Sequence, residues 1–221
     1  MNATTLATEA TLLRNPLAKP EHRWPAPDPS VWVFHRRMPA YRATTLYDCP
    51  ELARRYGVGR VLVKAETQRL GLPSFKILGA SWATYRALSD HLGFEPEPWA
   101  NINDLSRRIG YLRPFSLAAA TDGNHGRAVA FMARLLGFGC RIFVPAGTVP
   151  ARIHAIQNEG AEVTVVDGDY DAAVARSAEE ASDKCLVISD TSWPGYDVTP
   201  RRVVDGYTTI FMEIEQALAA A

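Results

Sequence analysis

Beyond Arg60 the chain alternates between short apolar runs with strand character and longer stretches with helical spacing, and this alternation limits the fold more than any other feature. The strand-like runs are residues 61–65, 116–120, 141–144, 162–166 and 185–189. Between them, Ser74 can cap a helix running to about Leu92, and residues 123–136 carry apolar side chains at helical intervals. Thr148 and Pro150 open a further helix that stops at Gly160, and residues 170–183 form another. Strands joined through helices of this length require crossover connections, which place parallel strands in a sheet covered on both faces. The class is α/β, and no motif recurs at a solenoid-like period, so a doubly wound sheet is expected.

The first 50 residues differ. Seven of the 15 prolines fall there, including Pro16, Pro20, Pro25, Pro27, Pro29 and Pro39, and they exclude a long helix. Residues 1–45 are therefore expected to form an irregular arm. At the other end, Val203, Tyr207, Ile210, Phe211, Ile214 and Leu218 recur at three- and four-residue intervals, an apolar stripe that needs a cover.

Charge narrows the function. Twenty-four basic and 24 acidic side chains leave no net positive field to hold a phosphate backbone, so nucleic acid is not an expected partner. The longest wholly apolar stretch, residues 128–133, is closed by Arg127 and Arg134, far short of the roughly 18 residues of a membrane span. The amino-terminal segment has no basic start followed by a continuous apolar centre, which makes the cytoplasm the expected location. Cys49, Cys140 and Cys185 are odd in number and widely spaced, fitting neither a disulfide framework nor a zinc or redox pair.

Two segments carry chemistry. In GLPSFKILGAS, Lys76 stands in the first turn of a helix, where the positive end of the macrodipole opposes a cation. A lysine that attacks a carbonyl must be neutral, and burial and the helix terminus both push its pKa down. The plainer reading is a solvated lysine at a helix end. In ATDGNHGRAVA, Thr121, Asp122, Gly123, Asn124 and His125 follow a strand and open a helix, so unpaired N–H groups are available to an anion such as a carboxylate. The plainer reading there is a turn in which Asp122 or Asn124 caps the helix.

Taken together, the SFK-x-x-GA and TDGNHG segments resemble the fold type II pyridoxal-phosphate enzymes of the tryptophan synthase β-like superfamily. The wording around Lys76 and Asp122 is most similar to the diaminopropionate ammonia-lyases, and similarity continues through VPAGTVPARIHAIQNEGAEV, GDYDAAV, SDTSWPGY and GYTTIFMEIEQAL. The resemblance implies pyridoxal 5′-phosphate as cofactor, with Lys76 bonded to its aldehyde carbon and then removing the substrate Cα proton. It implies that Asn124 hydrogen-bonds the pyridoxal 3′ oxygen and that Thr121, Gly123, Asn124 and His125 grip the substrate carboxylate. Asp122 would act as proton acceptor on the opposite face, as elimination from both enantiomers requires. Asp190 would pair with the distal ammonium of diaminopropionate, or merely make a turn after its strand, and Tyr170 would line the same pocket or pack its helix.

The same resemblance implies residues 80–200 as a small α/β domain around the TDGNHG loop, with residues 46–79 and 201–221 belonging to an incomplete large domain. No glycine-rich phosphate loop follows Gly126, so the chain reads as an amino-terminal half that works as a homodimer or with a complementary carboxy-terminal half chain. Alternatives are a non-catalytic remnant or binding module of the same fold, and a lyase of the serine or threonine dehydratase kind.

Overall fold

A computed structural model describes residues 26–219. Its centre is a four-stranded parallel sheet built from β3 (Ser116–Ala120), β4 (Gly139–Pro145), β5 (Glu162–Val166) and β6 (Cys185–Val187), in the order β5-β4-β3-β6. The strands alternate with α5 (Asn124–Leu136), α6 (Pro150–Gln157) and α7 (Tyr170–Ala178), as the spacing predicts. Side chains on β3 divide by parity: Leu117 and Ala119 join the main core with α5, whereas Ala118 and Ala120 pack with Phe143, Ala173 and Val174 on the α7 side. The α/β class and the two covered faces follow from this division. β5 is an edge strand, and Val165 is exposed rather than buried.

The run at 61–65 does not join that sheet. Its core, β2 (Leu62–Lys64), pairs antiparallel with β1 (Leu46–Asp48), and Val63 is exposed. A three-residue strand with one exposed face is satisfied by a two-stranded ribbon, so its apolar composition misleads. Between the two strands lies α2 (Pro50–Tyr56), ended by Gly57 in the left-handed region at φ 63°.

The proline-rich arm also differs from expectation. Pro16, Pro20 and Pro25 lie outside the described residues. Beyond them, Asp28 accepts the Ser30 N–H at 2.8 Å and Pro29 takes the first position of α1 (Pro29–Arg36), where its missing N–H is harmless. The segment is therefore not wholly irregular: Pro29 starts a helix of eight residues, and no long helix forms there among the described residues. Val31 and Phe34 are buried, and Phe34 contacts Trp82, Tyr85 and Trp99 ring to ring. One face of α1, with Val31, Phe34 and His35, is thus part of the core.

Helix α3 (Lys76–Leu92) and the last helix, α8 (Val198–Ala219), cross at backbone distance. A Cβ on Gly79 would lie 2.7 Å from the Val203 carbonyl, and one on Gly206 would lie 2.7 Å from Gly79 Cα. The face of α8 that is buried is Pro200, Val203, Gly206, Thr209 and Glu213. The predicted stripe is therefore only partly right. Val203 is buried and Tyr207 and Ile210 pack against the core, but Phe211 and Leu218 are exposed. Close packing on small and polar residues turned the helix away from its most apolar line. A further helix, α4 (Ile102–Arg108), capped by the Asn101 side chain, covers α5.

Candidate active site

All eight residues singled out by sequence line one cleft of about 230 Å³, which also takes in Arg127, Arg152 and Ala155. Lys76 is contributed by the first turn of α3; the N-cap position is Phe75 and not the expected Ser74, whose hydroxyl accepts the Lys76 N–H at 3.3 Å from outside the helix. The Nζ donates to Asp190 Oδ2 at 2.9 Å and lies 5.9 Å from the Phe75 ring centre and 5.7 Å from that of Tyr207. Burial by itself lowers the lysine pKa, but the bond to Asp190 and the neighbouring Tyr207 outweigh it, and the net direction is upward. The expectation of a depressed lysine is thus corrected: the contact with Asp190 favours the charged amine.

The loop after β3 is organised by Thr121. Its buried hydroxyl accepts the N–H groups of Gly123 at 2.9 Å and of Gly126 at 3.0 Å. Neither Asp122 nor Asn124 caps α5. Because Thr121 engages the Gly123 amide, the first-turn amides of Asn124 and His125, which by position have no intrahelical acceptor, are the donors left for an anion. Gly126 is required here, since a Cβ would lie 2.9 Å from Thr121 Cβ and 3.0 Å from Ile142 Cγ2.

Asp122 and Asn124 are exposed on the cleft rim. Arg152, which sequence reading missed, donates to the Asp122 carbonyl at 2.8 Å and comes within 3.8 Å of its carboxylate. Tyr170 opens α7 and its hydroxyl lies 3.1 Å from Thr191 Oγ1; burial raises its pKa. The turn after β6 is closed by the Ser189 hydroxyl, which accepts the Thr191 N–H at 3.0 Å, and this leaves Asp190 free to pair with Lys76. Burial pushes the Asp190 carboxyl up, but the bond to Lys76 and its charge act against burial, and the net direction is below the ordinary carboxylate value.

His125 is buried behind the rim, its Nε2 at 2.7 Å from the Ile188 carbonyl oxygen and its Nδ1 at 3.6 Å from Asp190 Oδ2. Tyr207, which the sequence placed only in an apolar stripe, is a further neighbour of Lys76. It arrives from α8, distant in sequence, and its buried hydroxyl has no hydrogen-bond partner among the described residues. Nothing local marks it, because the signal is the approach of two helices. Among the described residues no helix is long and apolar enough to cross a membrane.

A family model described as pyridoxal-phosphate dependent enzyme matches residues 37–220. The diaminopropionate ammonia-lyase of Salmonella typhimurium is 34% identical over 194 residues, covering 86% of this chain and 47% of the relative. That of Escherichia coli is 38% identical over 187 residues, covering 83% and 46%. The crystal structure of the Escherichia coli enzyme in apo form superposes with a TM-score of 0.78 at 35% identity, covering 86% of this chain and 52% of that one. The same enzyme in complex with D-serine gives 0.79. Maize serine racemase, at 17% identity and a TM-score of 0.62, shares the fold. The chain spans about half the length of the curated relatives it matches.

Proposed function

Because the chain belongs to the pyridoxal-phosphate dependent enzyme family, with the fold type II architecture of its structural neighbours, we propose that it carries the lysine-bearing part of an ammonia-lyase acting on 2,3-diaminopropionate, with pyruvate and ammonia as products. The observation that carries this reading is the placement of Lys76 Nζ beside Asp190 at the cleft to which the TDGNHG loop contributes. The residues present suit the aldehyde end of pyridoxal phosphate. They supply a primary amine between aromatic walls, an adjacent carboxylate, and a buried imidazole nitrogen without a partner. When bound, the cofactor supplies an electron sink for the pair left behind as the Cα proton departs.

In this reading Lys76 fixes the cofactor through Nζ and, once its amine is free, takes the Cα proton on one face. Asp122, on the exposed rim and tied by Arg152, takes it on the other, so either enantiomer can react. The Asn124 and His125 amides hold the substrate carboxylate at the positive end of α5, and the Asn124 side chain holds the pyridoxal 3′ oxygen. Asp190 attracts the distal ammonium, which competes with Lys76 for the same carboxylate. Tyr170 closes the pocket beside it. In this reading the protein acts in the cytoplasm, with a second copy of the chain as partner.

The test is to add pyridoxal phosphate to the purified chain, record the visible absorbance of a lysine adduct, reduce with borohydride and map the label. Label confined to Lys76 and abolished by Lys76→Met is the expected result. Lys64 is excluded by its buried ion pair with Glu213, so label on Lys19, Lys64 or Lys184 as readily as on Lys76 would overturn the assignment.

A further inference from the structure

His125 offers a group that the proposed reaction does not use. The Ile188 carbonyl beside Nε2 can only accept, so Nε2 carries the ring proton and Nδ1 of the neutral ring is a bare lone pair. That Nδ1 is buried and has no hydrogen-bond partner among the described residues. It nevertheless lies 3.6 Å from Asp190 Oδ2, the oxygen that accepts from Lys76 Nζ at 2.9 Å. Two acceptors facing each other at that distance repel unless a proton comes between them.

Lys76 Nζ and His125 Nδ1 therefore face one and the same carboxylate oxygen. While Lys76 is an ammonium, Asp190 has its cation and the ring stays neutral. Burial first, and the Lys76 charge with it, hold His125 below its ordinary pKa, against the pull of Asp190 and the Ile188 carbonyl. The positive end of α5 acts in the same sense as Lys76. Other ionisable groups near the pair are Tyr207 of α8 and Tyr170 of α7, both kept neutral by burial, and the exposed Asp122 of the loop. Removing the lysine charge would leave Asp190, 17% exposed, without its cation and next to a ready base.

We propose that His125 is the standby cation of Asp190: Nδ1 takes up a proton when Lys76 becomes uncharged and returns it when the ammonium re-forms. The step balances without an oxidant or reductant. Were the lysine nitrogen to form an uncharged C=N bond to an aldehyde carbon, the aldehyde oxygen would leave as water with two of the three ammonium hydrogens, and the third would pass as a proton along Asp190 Oδ2 to Nδ1. His125 is thus a positioning residue that keeps a charged Asp190 in place while Lys76 is engaged. The use made of the relay rests on the proposed function of Lys76, but the coupling exists in the chain alone and is measured there.

The experiment is an NMR titration of the cofactor-free chain carrying ¹⁵N-labelled histidine. The wild-type ring is expected as the neutral Nε2–H form, with its protonation midpoint below the ordinary histidine value. In Lys76→Met the midpoint should rise by at least one pH unit, a tenfold gain in proton affinity. Adding Asp190→Asn to that variant should cancel the gain. Equal midpoints in wild type and Lys76→Met would overturn the proposal, as would a rise that survives Asp190→Asn. Lys76→Gln provides a second neutral side chain should the methionine disturb the fold. A histidine that only anchors the Ile188 carbonyl would respond to the loss of the Lys76 charge alone, and that rise would survive Asp190→Asn. Failure of borohydride labelling at Lys76 with this coupling intact would strike the proposed function and leave the relay standing.

Discussion

Replacing Glu213 by glutamine removes the charge that ties α8 to the segment leading into Lys76. The carboxylate lies 2.6 and 2.9 Å from two guanidinium nitrogens of Arg69, 2.7 Å from Lys64 Nζ and 2.8 Å from the Tyr41 hydroxyl. Its side chain is 1% exposed, and those of Arg69 and Lys64 are 0% and 8% exposed. Removing one member of a buried pair costs about 3 to 5 kcal/mol, because the partner charges stay desolvated. Arg69 retains Glu66, and Lys64 retains the Thr44 carbonyl at 2.6 Å, so the loss should fall near the lower limit, about 3 kcal/mol. Urea unfolding followed by tryptophan fluorescence measures it, with the exposed Glu215→Gln as a control expected to stay within about 0.5 kcal/mol. The pH dependence has a definite sign. Burial raises the Glu213 pKa, but the bonds to Arg69 and Lys64 bring it below its ordinary 4.5. Its contribution is therefore complete above about pH 4.5 and is lost as the pH falls through the lower folded-state value, a loss that the variant should not show. A destabilisation under about 1 kcal/mol would mean that desolvation cancels the attractions, and the network would not be what holds α8.

The buried histidine of α1 gives a second pH signature. His35 Nε2 lies 3.0 Å from the Leu78 carbonyl and Nδ1 lies 2.7 Å from the Thr209 hydroxyl, and burial pushes its pKa from 6.5 down to about 3. The unfolded chain then binds a proton that the folded chain refuses, so stability is complete above pH 6.5 and falls toward pH 3 by up to about 1.4 kcal/mol per pH unit. His35→Gln should flatten that slope in urea titrations at pH 5 and 7; an unchanged slope would show that the ring is not the source. Burial raises the Cys140 thiol to about 12 and also raises Cys185, whereas Cys49 is only partly buried. A thiol reagent on the native chain should therefore modify Cys49 first, and equal rates at all three sites would contradict the burial of the sheet cysteines.

Sequence showed the parts of this fold that rest on local periodicity. Strands β3 and β5 match their predicted runs at both ends, and α5 and α6 lie within one to three residues of theirs, because alternation and helical spacing are short-range properties. It did not show the pairing of β1 with β2, whose three-residue strands have no periodicity to detect. Nor did it show the Arg69–Glu213 contact, which spans 144 positions and looks, in sequence, like two charges on solvated surfaces. The cleft was legible as a set of residues but not as an arrangement. The Lys76–Asp190 bond joins positions 114 apart, and it reverses the direction of the lysine pKa that burial and the helix terminus alone would give.

One letter of the lysine motif gains a physical meaning from the packing. Gly79 stands one turn beyond Lys76 on α3, and a Cβ there would fall 2.6 Å from Tyr207 Cε1 and 2.6 Å from Val203 Cγ1. The missing side chain therefore lets α8 approach closely enough for the Tyr207 ring to lie beside both Phe75 and the lysine amine. The same contact buries Val203 and brings Glu213, further along the same face, to Arg69. Packing of the two helices and the setting of the amine are one constraint. A side chain at position 79 would force the helices apart or displace Tyr207, and either change would alter the aromatic wall beside Lys76 while leaving the TDGNHG loop, anchored separately on β3 by Thr121, where it is.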